Sequence, residues 1–294
     1  MTIYARGAEP MDALHDVDQV ERQVREDEIH RAVRDRYGKI AQDDGCGCGP
    51  SCGGRQAGTP SVISVALGYG PEDVATVPSG ANMGLGCGNP QVIAGLAAGE
   101  TVLDLGSGGG FDCFLASRQV GAGGRVIGVD MTAEMVSKAR ANAASADYRN
   151  VDFRLGEIEN LPVADNSVDC IISNCVINLS PNKRRVFSEA YRVLKSGGRM
   201  AVSDIVATAV APAEIRENME LFTGCMAGAS LISEIEAMLA TAGFVEVRIT
   251  PKSSSRTLIN DWAPGTDVAD YLVSANIEAR KPKLDVQGAN PDHP

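Results

Sequence analysis

Apolar residues in this chain fall into short blocks whose spacing switches between that of strands and that of helices, and the switching becomes regular from residue 101. TVLDL (101–105), RVIGVD (125–130), VDFRLG (151–156) and SVDCIISN (167–174) are compact apolar runs of strand length. The last is apolar enough for burial on both faces of a sheet. Between them lie the helical segments FDCFLASRQV (111–120) and TAEMVSKARANAAS (132–145), the second with Thr132 as its expected N-cap. A helix over 182–195 and a strand over 198–206 follow. Strands alternating with helices predict a doubly wound, mostly parallel α/β sheet. FVEVRIT (244–250) and YLVSANIEAR (271–280) alternate in the manner of an antiparallel pair at its C-terminal side. Upstream, Val17, Val20, Val24, Val33, Tyr37 and Ile40 form a helical stripe over 17–41, predicting an amphipathic helix laid on the main domain.

These patterns divide the chain into residues 1–60, a helix and a flexible Cys/Gly-rich arm; 61–210, a nucleotide-binding α/β domain; and 211–294, a region completing the sheet and the substrate site. GCGCGPSCGGRQAGTP (45–60) has no periodicity and reads as a loop, as does the tail LDVQGANPDHP.

Composition narrows the choice of partner. The 294 residues carry a formal charge of −11, which repels phosphate backbones and anionic lipid, so neither nucleic acid nor a membrane surface is expected. No apolar run approaches the roughly 20 residues that cross a bilayer, and MTIYARGAEPMDALHD lacks the apolar core of a signal peptide. A cytoplasmic protein is expected, and a monomer, since no exposed apolar stripe is evident.

The three histidines are His15, His30 and His293. The central region is therefore expected to work without histidine as base or ligand. Eight cysteines stand against this, at 46, 48, 52, 87, 113, 170, 175 and 225. In a reducing compartment they point to ligation or catalysis before disulfides.

VLDLGSGGGFD (102–112) carries the strongest local signal: a strand runs into Gly106, Gly108, Gly109 and Gly110 and then a helix. Glycines there admit positive φ and close approach of a ligand to the backbone. Asp130 ends the next strand, placed to accept hydrogen bonds from a ribose diol. The spacing is G-x-G-x-G with Asp104 two residues ahead. A pyrophosphate site uses G-x-G-x-x-G and disfavours a nearby carboxylate, whereas the ammonium and sulfonium of S-adenosylmethionine welcome one. The loop favours S-adenosylmethionine over NAD.

At the end of the fourth strand, SNCVINL (173–179) offers Asn174 and the thiol of Cys175 where an acceptor group belongs. Cys87, in GLGCGNP, and Cys225, in FTGCMAGA, also lie in glycine-flanked loops, and three loop thiols suggest a site for a soft ion. Cys113, early in a helix, and Cys170, inside a strand, read as core residues. Cys46, Cys48 and Cys52 have no histidine nearby to complete a zinc site and read as a redox-active arm.

VLDLGSGGGFDCFLA, VIGVDMT, GEIENLP, SNCVINLSP, EAYRVLKSGGR and SDI, with the upstream GCGNP, resemble the arsenite S-adenosylmethionine methyltransferases over residues 60–280. The resemblance implies a Rossmann-like fold and trivalent arsenic held by Cys87, Cys175 and Cys225, with Cys46, Cys48 or Cys52 in a relay. It matches Asp104, Gly106, Ser107, Gly108 and Gly110 to the methionine end of the donor, and Asp130 and Met131 to its ribose and adenine. Glu157 and Ile158 match the adenine wall, and Asn174 the methyl site. It further implies arsenite or methylarsonous acid as substrate and an external thiol, thioredoxin or glutathione as reductant. The competing expectations are a cysteine-based arsenic or antimony sensor and a methyltransferase for another small acceptor.

Overall fold

The computed structural model describes residues 11–42 and 59–283, with side chains described from residue 19. Cys46, Cys48, Cys52, the rest of the arm up to residue 58 and the tail 284–294 lie outside the described residues. In chain order the helices are α1 (Met11–Gln42), α2 (Pro60–Ala66), α3 (Pro71–Thr76), α4 (Gln91–Ala94), α5 (Phe111–Val120), α6 (Ala133–Ser145), α7 (Lys183–Val193), α8 (Ala213–Arg216), α9 (Met219–Thr223), α10 (Ile232–Ala242), α11 (Arg256–Trp262) and α12 (Val268–Tyr271). The strands are β1 (Thr101–Leu105), β2 (Arg125–Asp130), β3 (Val151–Leu155), β4 (Val168–Asn174), β5 (Leu194–Ala207), β6 (Val245–Lys252) and β7 (Leu272–Arg280). No described helix is long and apolar enough to cross a membrane.

The strands form one mixed sheet in the order β3-β2-β1-β4-β5-β7-β6. β1 to β5 run parallel, and β7 lies antiparallel between β5 and β6. The expected antiparallel pair therefore extends the parallel sheet. The order reverses between β1 and β4, which opens a crevice at their carboxyl ends.

Alternate strand residues feed two cores. Leu103, Ile127, Ile171 and Val202 face α7 and α10, while Val102, Val126, Ile172 and Ala201 face α4, α5 and α6. Cys113 and Cys170 are fully buried in the second core, as their sequence positions suggested.

Two boundaries differ from expectation. α7 ends at Val193 and β5 begins at once at Leu194, four residues earlier than the sequence pattern indicated. Gly197, at φ 80°, allows the irregular start, and the Lys195 ammonium bonds the Asp169 carboxylate at 2.7 Å alongside the bulge against β4. α1 begins before residue 17, and its stripe packs only over its second half. Ile29, Val33 and Ala41 are buried, but Val20 and Val24 are 60% and 52% exposed. At 1.5 Å per residue a helix of 32 residues outruns the surface beneath it.

Candidate active site

A cavity of about 810 Å³ occupies the crevice at the carboxyl ends of β1, β2 and β4, with α1 laid across it. The glycine loop forms its floor. Gly106, Gly108 and Gly110 take φ of 70°, 50° and 95°, a region that costs other residues strain. Gly106, Ser107 and Gly108 line the cavity. Gly110 is outside the lining and serves packing instead: a Cβ there would stand 2.7–2.8 Å from the rings of Phe114 and Phe153.

Asp130 holds this loop. Its carboxylate accepts from the N–H of Gly108 and of Thr132, both at 2.9 Å. Thr132 occupies the N-cap position of α6 but makes no side-chain cap, because its hydroxyl serves Asp130. Ser107 presents a buried hydroxyl without a hydrogen-bond partner, an orphan of the kind a polar ligand satisfies.

Asp104 and Asp112 are both buried and both line the cavity. Burial, then repulsion from Asp112, pushes the Asp104 carboxyl well above the usual carboxylate range; the Cys113 thiol donates to it at 3.2 Å. Burial also raises Asp112, against hydrogen bonds from Gln91 at 3.1 Å and from Tyr69 at 2.9 Å. The Asn174 amide donates to the Tyr69 hydroxyl at 2.9 Å and accepts from the Cys87 N–H at 3.1 Å. Asn174 thus joins the acid pair to the thiol side.

The fold brings the three loop thiols together. Cys175 follows β4 directly and Cys225 follows α9, with φ of 60° and 64°, so both thiols hang on left-handed backbone of the strained kind that clusters at working sites. The Cys225 thiol donates to the Cys175 carbonyl at 2.7 Å, and the Cys87 thiol to the Ser203 carbonyl at 3.6 Å. Cys87 Sγ, Cys175 Sγ and a carboxylate oxygen of Asp204 lie within 4.8 Å of one another. Burial lifts the Cys87 thiol above its ordinary range. For Cys175 a hydrogen bond to Cys225 pulls downward, yet the contact with Cys87 and burial outweigh it. Cys225 is raised by its contact with Cys175 and by burial. Raised in this way, the three thiols rest protonated at neutral pH.

Three side chains from α1 and its neighbours were not foreseen. His30, outside the histidine-free stretch and carried by α1, lines the cavity and bonds Glu159 at 3.1 Å. Tyr37 lines it too, in one apolar cluster with Met131, Cys175 and Cys225. Of the expected adenine wall, Met131 and Ile158 line the cavity, while Glu157 turns away to pair with Arg34 at 3.0 Å; Glu159 takes the cavity side. Both acids are partnered by α1, more than 100 positions upstream, Glu157 by Arg34 and Glu159 by His30.

Glycine loop, strand-end acid and a crevice at the switch of strand order define a Rossmann-like methyltransferase, and a methyltransferase domain model matches residues 96–243. Over 269 residues the chain is 54% identical to the arsenite methyltransferase of Halobacterium salinarum, covering 88% of this chain and 68% of that protein. It is 35% identical to human arsenite methyltransferase, over 77% of this chain and 60% of the human one. A solved arsenic(III) S-adenosylmethionine methyltransferase from Chlamydomonas reinhardtii is 33% identical with a TM-score of 0.53, the match covering 79% of this chain and 76% of that one. The chain belongs to the arsenite methyltransferase family. It spans 68% and 60% of the lengths of the two curated relatives.

Proposed function

We propose that this chain methylates trivalent arsenic, holding it on Cys87, Cys175 and Cys225 and drawing the methyl group from S-adenosylmethionine. The observation that carries this is the meeting of three thiols at the carboxyl end of β4: Cys175 and Cys225 line one cavity with an unpartnered Ser107 hydroxyl and two cation-seeking carboxylates, and Cys87 is buried with its Sγ within 4.8 Å of that of Cys175. The donor supplies an electrophilic sulfonium methyl. Asp104 and Asp112 would hold its ammonium, Ser107 and the loop N–H groups its carboxylate, and Asp130 its ribose, with Met131 and Ile158 against the adenine.

Coordination by three sulfurs leaves the arsenic lone pair free. That pair forms the new bond to the methyl carbon while the carbon–sulfur bond breaks, its electrons staying on sulfur to give S-adenosylhomocysteine. No proton leaves the acceptor, so no base is required, and His30 is occupied with Glu159. Rate is gained by alignment and by exclusion of water. Arsenic loses two electrons formally in each transfer. Two thiols return them and become a disulfide, which an external thiol, thioredoxin or glutathione reduces. Cys46, Cys48 and Cys52 are candidates for relaying those electrons. The chain is proposed to act as a cytoplasmic monomer.

Reduced protein is incubated with S-adenosylmethionine, arsenite and a thiol, and the arsenic species are separated. Methylated arsenic is expected from the parent and none from Cys175→Ser. Donor consumption without methylated arsenic would overturn the acceptor assignment.

A further inference from the structure

Arsenic coordination uses three sulfurs and leaves one member of the cluster without a task. Asp204, on β5, is 2% exposed, and one of its carboxylate oxygens lies within 4.8 Å of both Cys87 Sγ and Cys175 Sγ. Three donors fix the carboxylate. Asn178 Nδ2 and the Ile205 N–H bond Oδ1 at 3.0 and 2.8 Å, and the Ile177 N–H bonds Oδ2 at 2.9 Å. A carboxylate oxygen accepts about two hydrogen bonds, so Oδ1 is filled, whereas one close bond reaches Oδ2, with the Asn178 N–H and the Lys183 ammonium adding attraction to the carboxylate as a whole.

Trivalent arsenic is satisfied by sulfur and has no need of that oxygen. A divalent d10 cation differs: it takes four donors in a tetrahedron and mixes thiolate with carboxylate readily. We propose that Cys87, Cys175 and Asp204, with Cys225 completing the shell, form a site for a thiophilic divalent cation of the zinc class, which fills the acceptor pocket in place of arsenite. With metal–sulfur bonds of about 2.3 Å and metal–oxygen bonds of about 2.1 Å, neighbouring donors stand roughly 3.6–3.8 Å apart. The present 4.8 Å limit closes with a shift of about 1 Å, which is within side-chain reach. Cys225, whose thiol touches the Cys175 carbonyl, stands next to the trio. Binding exchanges thiol protons, released to solvent, for the cation, and no electron moves.

Cys175 and Cys225 of this site line the cavity of the proposed reaction, with Cys87 and Asp204 buried beside it, and the site does not rest on methyl transfer. Two consequences follow from its donor set. The cation and arsenite exclude each other while S-adenosylhomocysteine binding is spared, and Asp204 matters to the cation alone.

The test uses the full chain carrying Cys46→Ser, Cys48→Ser and Cys52→Ser, so that no metal is counted on the arm, reduced and freed of metal by a chelator. Titration with Co²⁺ is expected to give thiolate-to-metal absorption and strong tetrahedral d–d bands complete at one equivalent. Zn²⁺ affinity, by competition with a chromophoric chelator, is expected to fall about tenfold or more in Asp204→Asn, while arsenite affinity changes less than twofold. Arsenite binding is followed by the fluorescence of Trp262, the single tryptophan, which lines the cavity. No thiolate band at one equivalent, arsenite bound alongside Co²⁺, or unchanged Zn²⁺ affinity in Asp204→Asn would overturn the site. A Co²⁺ band in a protein that never binds arsenite would uphold it while removing the arsenic assignment. Should Asp204→Asn fail to fold, Cys175→Ser decides: loss of the Co²⁺ thiolate band upholds the site, and its persistence overturns it.

Discussion

His30 and Glu159 stand 129 positions apart in the chain and 3.1 Å apart in the fold, joining α1 to the loop after β3 across the mouth of the cavity. The hydrogen bond to Glu159 raises the His30 pKa above its usual value of about 6.5 despite burial and the repulsion of Arg34, with Glu157 adding attraction. Burial pushes Glu159 upward, but bonds from His30 and Ser180 bring it below its ordinary value. A raised histidine stabilises fully below about pH 6.5, and that contribution is lost as pH climbs through its folded value. A lowered glutamate stabilises above about pH 4.3, losing that contribution as pH falls through its folded value. The clamp is therefore firmest between about pH 4.3 and 6.5. His30→Gln should weaken the docking of α1 by about 1.5–3 kcal/mol within that window and by less above it. Amide exchange over residues 29–41, measured at pH 5.5 and 8.5, checks this. An unchanged pH dependence in the variant would remove the clamp.

Ser107 gives an opposite pattern in stability and binding. Its buried hydroxyl lacks a partner, and such a group costs about 1–3 kcal/mol. Ser107→Ala should leave the ligand-free protein as stable or stabler by up to about 1 kcal/mol, while S-adenosylhomocysteine binds about five- to tenfold more weakly. Denaturant unfolding and calorimetric titration read the two effects separately.

Asp104 predicts a stronger form of the same trade. A carboxyl raised by burial and by Asp112 opposes folding as pH rises above its unfolded value near 3.9, and the cost persists at neutral pH. Asp104→Asn keeps an oxygen for the Cys113 thiol but removes the charge. The ligand-free variant should melt higher at pH 7 and show a flatter pH profile above pH 4. It should bind S-adenosylhomocysteine at least about tenfold more weakly, a loss of about 1.4 kcal/mol or more. Unchanged affinity would mean that the ammonium is held elsewhere.

These residues also mark what the sequence made legible. β1, β2 and β4 were readable because each is a short apolar block punctuated by glycine or an acid, so local pattern alone bounds it. The glycine loop, Asp130 and Cys175 were readable because they follow strand ends at the crevice, whereas Cys87 and Cys225 stood out only by their glycine-flanked loops. His30, Tyr37, Glu159 and Asp204 were not. His30 and Tyr37 reach the cavity only because α1 folds back over a domain that begins far downstream. Asp204 lies inside an apolar strand, and nothing local shows that it faces two thiols. Val20 and Val24 fit the helical stripe, yet where that stripe stops packing depends on how far the domain surface extends.

Tyr37 joins the two halves of the cavity. It belongs to a cluster around Ile29, Val33, Leu179 and Cys225 that also takes in Met131 from the donor side and Cys175 from the acceptor side. Its hydroxyl donates to the Thr223 carbonyl at 3.4 Å and shares a longer contact of 3.9 Å with Cys225 Sγ. Burial, with repulsion from Cys225 and Cys175, holds the phenol well above its usual pKa, so it is a donor at every working pH. Its single proton can turn from the Thr223 carbonyl to a sulfur that becomes anionic on ligation, which favours the bound state. Tyr37→Phe keeps the ring and loses that donor, so arsenite affinity should fall about two- to tenfold, or 0.5–1.5 kcal/mol, with S-adenosylhomocysteine affinity unchanged. Tyr37→Ala removes the wall as well and should weaken both ligands, since the cluster that Met131 shares is opened. Titration of each variant with each ligand separates the hydroxyl from the ring. Equal losses for arsenite and S-adenosylhomocysteine in Tyr37→Phe would show that the hydroxyl acts by holding α1 in place, with no direct part in thiol ligation.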